Sequence, residues 1–129
     1  MQQRGACLCG TVRFTVDGRA GKVSYCHCSQ CRRQTGHYLA SAGVADDRIA
    51  IEGLDNVTWY AASDTARRGF CATCGSMLFW RPAEGGHYAV AAGAFDSPSG
   101  LVEESHIFVA DKGDYYEITD GLPQHPQSG

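Results

Sequence analysis

Seven cysteines fall in three short groups, Cys7-x-Cys9-Gly10, Cys26-x-Cys28-x-x-Cys31 and Cys71-x-x-Cys74-Gly75. A cysteine pair ahead of glycine is the pattern of a metal knuckle. The backbone must turn sharply around an ion, often at positive φ, and glycine does so without a Cβ penalty. Cys7, Cys9, Cys71 and Cys74 supply four thiolates, enough to close a tetrahedron around a divalent ion such as zinc. Cys26, Cys28 and Cys31 supply three and leave one position for water or substrate. The first set joins distant parts of the chain, where a metal constrains the unfolded state most, so its role is structural. The second lies in one short loop and would staple little, so reactivity explains it better. Spacing does not determine which knuckles meet, and other groupings stay open.

Disulfides, an iron-sulfur cluster and buried free thiols compete with this reading. The cysteine count is odd, and Met1 to Cys7 lack the apolar stretch of a secretory signal, so a reducing cytoplasmic setting is the expectation. No Cys-Pro step or cluster spacing favours iron and sulfur. Buried free cysteines occur singly rather than as tight pairs before glycine.

The chain has 129 residues, a formal net charge of -3 and a pI near 5.9. Ionising seven thiols and adding two divalent ions takes the charge to -6, which argues against a nucleic-acid partner. No apolar run is long enough to cross a bilayer, so no membrane partner is expected either. Nine of the eleven basic residues are arginine. Arg32 and Arg33 follow the triplet, where either could grip a ligand carboxylate with its planar fork. Arg67 and Arg68 precede Cys71 and read as solvated offsets to thiolate charge. His27 and His37 flank the same loop and could act as proton shuttle or fourth ligand.

These residues must be positioned by strands. Thr11 to Val16 alternates polar and apolar, so Val12, Phe14 and Val16 should face a core. Further strands are expected at 22–25, 38–44, 48–52, 57–61, 77–81, 87–92 and 106–109. Ser29 reads as the cap of a short helix over Gln30 to Gln34, ended by Gly36, with Cys31 near the helix N-terminus. Most aromatic residues should be core, with an exposed one near the triplet lining a cleft. No linker divides the chain. One domain over residues 1–123 is expected, with 124–129, which contains Pro126, a flexible tail.

Together, Cys7-x-Cys9-Gly10, Cys26-His27-Cys28-Ser29-x-Cys31-Arg32-Arg33-x-Thr35-Gly36 and Phe70-Cys71-x-x-Cys74-Gly75-Ser76 resemble the glutathione-dependent formaldehyde-activating enzyme family, which includes centromere protein V. Gly93-Ala94-Phe95-Asp96, His106 to Lys112 and Gly121-Leu122-Pro123 resemble its later segments, so the likeness runs from about Ala6 to Pro123. It implies a mainly β fold of the β-tent type, small antiparallel sheets held by zinc, with one short helix. It implies structural zinc on Cys7, Cys9, Cys71 and Cys74 and catalytic zinc on Cys26, Cys28 and Cys31. The implied reaction is the carbon-sulfur lyase step that forms or cleaves S-(hydroxymethyl)glutathione. Arg32, Arg33, Gln34, Thr35 and Gly36 would hold the small-molecule thiol, such as glutathione. The departures are at Tyr115 or Tyr116, where a tryptophan is common, and at His37-Tyr38, where smaller residues or proline occur. A different thiol adduct, or a non-catalytic zinc-stabilised binding module, are the alternative readings. A monomer or a homodimer is expected.

Overall fold

A computed structural model describes residues 2–129. Strands β1 (Gln2–Ala6), β2 (Arg13–Asp17) and β5 (Ile49–Glu52) form an antiparallel sheet in the order β1-β2-β5. The second sheet takes β3 (Val23–Cys26), β4 (Leu39–Ala45), β6 (Val57–Tyr60), β7 (Ala66–Cys71), β8 (Met77–Pro82), β9 (His87–Ala91) and β10 (Glu103–Ile107). Its order is β10-β3-β4-β9-β8-β7-β6, antiparallel except where β10 runs parallel to β3. One α-helix, α1 (Ser29–Thr35), follows β3 among the described residues. The protein is mainly β, as expected. No helix is long and apolar enough to cross a membrane.

The core lies between the two sheets. Val12, Phe14 and Val16 are buried from the β2 side and meet Val44, Phe79 and Val90 from the larger sheet, as their alternation requires. Phe14 packs edge-on against Phe79 and Phe95, at centroid separations of 6.2 and 5.1 Å. Period two then dictates the other face: Leu39 and Ser41 of β4, Ala89 of β9 and Trp80 of β8 point away from this core and line a cavity.

β1 and β7 are not among the strands the sequence predicts. β1 is polar, and its buried residues are Gly5 and Gln3, whose amide donates to Ser99 O at 2.8 Å and accepts from Ala20 N–H at 2.7 Å. Hydrogen bonding substitutes there for apolar burial. β7 carries two arginines and Gly69, a poor strand composition. Gly69 is nonetheless required, since a Cβ would fall 2.8 Å from the Trp59 ring and 2.9 Å from Val57.

The expected loose tail is instead docked. Gln124 pairs in parallel with His106, His125 N–H donates to His106 O at 2.9 Å, and Phe108 N–H donates to Gln127 O at 2.9 Å. β10 is an edge strand whose outward backbone groups need partners, and the tail backbone supplies them. Phe108 is held at φ 55, a left-handed conformation rare for a bulky side chain.

Candidate metal centres and the adjoining pocket

The turn after β1 and the turn after β7 bring Cys7, Cys9, Cys71 and Cys74 together, all four sulfurs within 4.8 Å of one another. Cys9 Sγ lies 3.6 Å from Cys7 Sγ and 3.8 Å from Cys71 Sγ. A tetrahedron with metal-sulfur bonds of about 2.3 Å has edges of about 3.8 Å, so the donor set fits an ion. Gly10 and Gly75 sit at φ 81 and 78 behind their pairs. Val12 N–H donates to Cys7 Sγ at 3.3 Å and Asn56 Nδ2 to Cys71 Sγ at 3.5 Å, contacts that favour sulfur as an anion. The Ser76 hydroxyl and backbone lower the Cys74 thiol to about 5, and Thr11 lowers Cys9. Because the first turn belongs to the small sheet and the second to the large one, an ion here would tie the sheets together.

Cys26 ends β3, Cys28 is the N-cap of α1, and Cys31 lies in the first helical turn, so the three sulfurs also meet within 4.8 Å. Cys28, not Ser29, caps the helix: its Sγ accepts from Cys31 N–H at 3.3 Å. Cys28 is lowered by its hydrogen bonds with Cys26 and Cys31, by the Cys31 N–H and by Arg68. Cys26 is raised by the same bonds with Cys28 and Cys31 and by burial. Cys31 is lowered by Cys26 but raised by Cys28 and burial, with a net rise. These contacts favour the anion on Cys28 over the other two sulfurs.

Arg68 is buried in β7, where sequence reading places a solvated charge. It lies on the strand face opposite Cys71, three residues away, and so points towards the triplet. Its Nη2 and Nη1 donate to Cys31 Sγ at 3.4 and 3.5 Å, its Nε to Gln30 Oε1 at 3.2 Å and its Nη1 to Gln34 Oε1 at 3.0 Å. The odd offset from Cys71 has meaning only once β7 is seen to be a strand, and the strand pairing shows what occupies the opposite face.

The expected ligand-holding run does not face the cavity. Arg33 is exposed, and Arg32 has a buried Nε with no hydrogen-bond partner. A helix rotates about 100° per residue, which carries Arg33 away from the Cys28 and Cys31 side, while Arg32, one turn after Cys28, is not among the residues that line the cavity. Gln34 serves Arg68, Thr35 Oγ1 donates to Cys31 O at 2.7 Å, and Gly36 is the left-handed C-cap at φ 84. The cavity, of about 540 Å³, is lined instead by the triplet, Arg68, Trp80, Leu39, Ile107 and Phe108, together with small polar residues.

His27 is fully buried and directed away from the sulfurs. Its Nδ1 lies 2.5 Å from Tyr116 Oη and its Nε2 lies 2.7 Å from His106 Nδ1. His106 Nε2 continues to Asp120 Oδ2 at 2.7 Å. Both ring nitrogens are thus occupied and His27 is no fourth ligand. Burial and the neighbouring His106 push it down to about 4, so it is neutral. His37 Nδ1 faces Tyr115 Oη at 3.4 Å.

Comparison with known proteins agrees with this arrangement. The chain is 26% identical over 121 residues to an uncharacterized lyase of Schizosaccharomyces pombe, covering 92% of this chain and 87% of the relative. Its fold is similar to a Rhodobacter sphaeroides protein of known crystal structure, with a TM-score of 0.63 and 27% identity, over 78% of this chain and 97% of that one. Residues 2–111 match the sequence model of the glutathione-dependent formaldehyde-activating enzymes. The chain belongs to the glutathione-dependent formaldehyde-activating enzyme family.

Proposed function

We propose that the protein is a zinc-dependent carbon-sulfur lyase acting on the adduct of a thiol and an aldehyde, of which S-(hydroxymethyl)glutathione is the family's named example. Cys26, Cys28 and Cys31 hold the catalytic zinc, and Cys7, Cys9, Cys71 and Cys74 a structural one. The observation that carries the reading is the convergence of three sulfurs at the wall of a cavity wide enough for a small organic thiol. When bound, zinc favours a ligand thiolate over a thiol and so stabilises sulfur as a nucleophile or leaving group.

The protein's own groups do the rest. Cys26, Cys28 and Cys31 leave one side open to the cavity. Arg68 stands behind the sulfurs and offsets their charge, while Gln30 and Gln34 hold its fork in register. Leu39, Trp80 and Ile107 give the adduct's carbon chain an apolar surface beside the sulfurs. On cleavage, the adduct hydroxyl loses its proton to solvent, the carbon-oxygen double bond forms and the carbon-sulfur electron pair leaves with sulfur.

Metal content tests this. Protein purified anaerobically with zinc should hold two equivalents, and Cys28→Ser should hold one and lose cleavage of hydroxymethyl thiol adducts. One equivalent in the wild type after zinc supplementation would sink the catalytic-metal reading.

A further inference from the structure

The cavity beside the triplet is wide enough for many thiols, so charge decides which of them it admits. Ser24, Leu39, Ser41, Trp80 and Ala89 form its floor on the outer sheet face. Ile107 and Phe108 form one wall, and Ser63 and Thr65 form the other. Among the described residues that line it, Arg68 is the one cation, and its nitrogens are already committed to Gln30, Gln34 and the sulfurs. The one carboxylate there, Asp111, would repel an anion. Lys112 lies elsewhere, its Nζ donating to Tyr116 O at 2.6 Å and Gly113 O at 3.1 Å.

A carboxylate drawn into this space loses its water and finds no free cation in return. An alkyl or aryl group gains contact with Leu39, Trp80, Ile107 and Phe108. The hydroxyls of Ser24, Ser41, Ser63 and Thr65 can meet the single hydroxyl of a hemithioacetal.

We propose that the thiol adduct taken here is uncharged, a hemithioacetal whose thiol part is a neutral alkyl or aryl group, in preference to one bearing carboxylates as glutathione does. This rests on the lyase reading above and narrows it. Atoms balance without oxidant or reductant: the neutral adduct gives aldehyde, thiolate and a proton.

Zinc-loaded wild type is compared with benzyl thiol and glutathione, and with the hydroxymethyl adduct of each, under anaerobic conditions. Equilibrium dialysis reads binding, and NMR reads loss of adduct. Benzyl thiol is expected to bind about 100-fold more tightly than glutathione, and Trp80→Ala to weaken only benzyl thiol, by about tenfold. Ser63→Arg, which adds a cation to the exposed wall, is expected to tighten glutathione about tenfold; no change there counts against charge as the discriminator. Glutathione binding as tight as benzyl thiol, or tighter, overturns the proposal. If glutathione's adduct is also the better cleaved, the lyase reading survives while the substrate class falls. Tight, Trp80-dependent binding of benzyl thiol with cleavage of neither adduct keeps the class and removes the lyase.

Discussion

Arg68 Nη2 lies 3.4 Å from Cys31 Sγ, although the two residues come from a strand and a helix 37 positions apart. Three thiolates around a divalent ion keep one net negative charge, and a buried guanidinium is the group that balances it. Loop, helix and sheet are thereby joined at the triplet even before metal arrives.

Arg68→Lys keeps the charge but loses the fork that spans Gln30, Gln34 and sulfur. Its metal affinity at the triplet should fall about tenfold, and that of Arg68→Met about 100-fold. Competition with a chromophoric chelator reads both, with the four-cysteine site as internal control. Equal affinity in all three proteins would show that Arg68 has no part in tuning the sulfurs.

Metal binding should also move protons. Cys28 is lowered by Cys26, Cys31 and Arg68, whereas Cys26 and Cys31 are raised, so Cys28 is the first of the three to give up its proton. Filling the triplet with Cys28 already ionised releases about two protons, and affinity rises about 100-fold per pH unit, about 2.7 kcal/mol. Calorimetry in buffers of different ionisation enthalpy counts the protons. A count of three would place no resting charge on Cys28.

The two clusters should answer differently to mutation. On the proposed metal reading, Cys71→Ser should remove an ion that would tie the two sheets, worth about 10 to 16 kcal/mol in apparent binding, and cooperative folding should be lost. Cys28→Ser should affect only a site within residues 26–31 and leave a cooperative melt. Circular dichroism during denaturation distinguishes them, and a well-folded Cys71→Ser protein would reverse the structural assignment.

Particular residues show what could be read in advance. Val12, Phe14 and Val16 announce their strand because burial on one face leaves period two in the chain itself. The cysteine groups are equally visible, since a metal site needs its donors at short local spacing. Arg68 is invisible by the same logic: a buried and a solvated arginine have one spelling, and the difference lies in Gln30, Gln34 and Cys31, supplied by another element. β1 is hidden because its inward residues are Gly5 and Gln3, the latter satisfied by Ala20 and Ser99 from distant loops. Arg32 and Arg33 mislead because nearness in sequence to Cys31 is not nearness on a helix face.

His27 carries a pH signature. Burial, then His106, holds it at about 4, while an unfolded histidine takes its proton near pH 6.5. Its folded value is depressed, so the unfolded state binds more protons between about 4 and 6.5 and stability falls as pH drops through that window. The slope approaches about 1.4 kcal/mol per pH unit. His27→Asn should be less stable at neutral pH, having lost the Tyr116 and His106 contacts, but flatter in that range. Denaturation midpoints between about pH 5 and 7 give both slopes, and parallel ones would mean that His27 does not titrate with unfolding.

The docked tail offers the last test. Gln127 O holds Phe108 N–H and His125 O holds Val109 N–H, while Ser128 and Phe108 both line the cavity. Phe108 at φ 55 costs about 1 to 3 kcal/mol, and these contacts keep it there. Removing residues 124–129 leaves the two-sheet core untouched, because every tail residue except His125 is exposed and none belongs to that core. The truncated protein should therefore melt within a few degrees of the full chain. Phe108 should relax towards negative φ and leave the cavity wall, raising KM for an apolar thiol adduct about tenfold with kcat little changed, since the sulfurs stay in place. A fall in kcat at constant KM would instead tie the tail to the reacting bond, and unchanged kinetics would mean that Phe108 keeps its position without it.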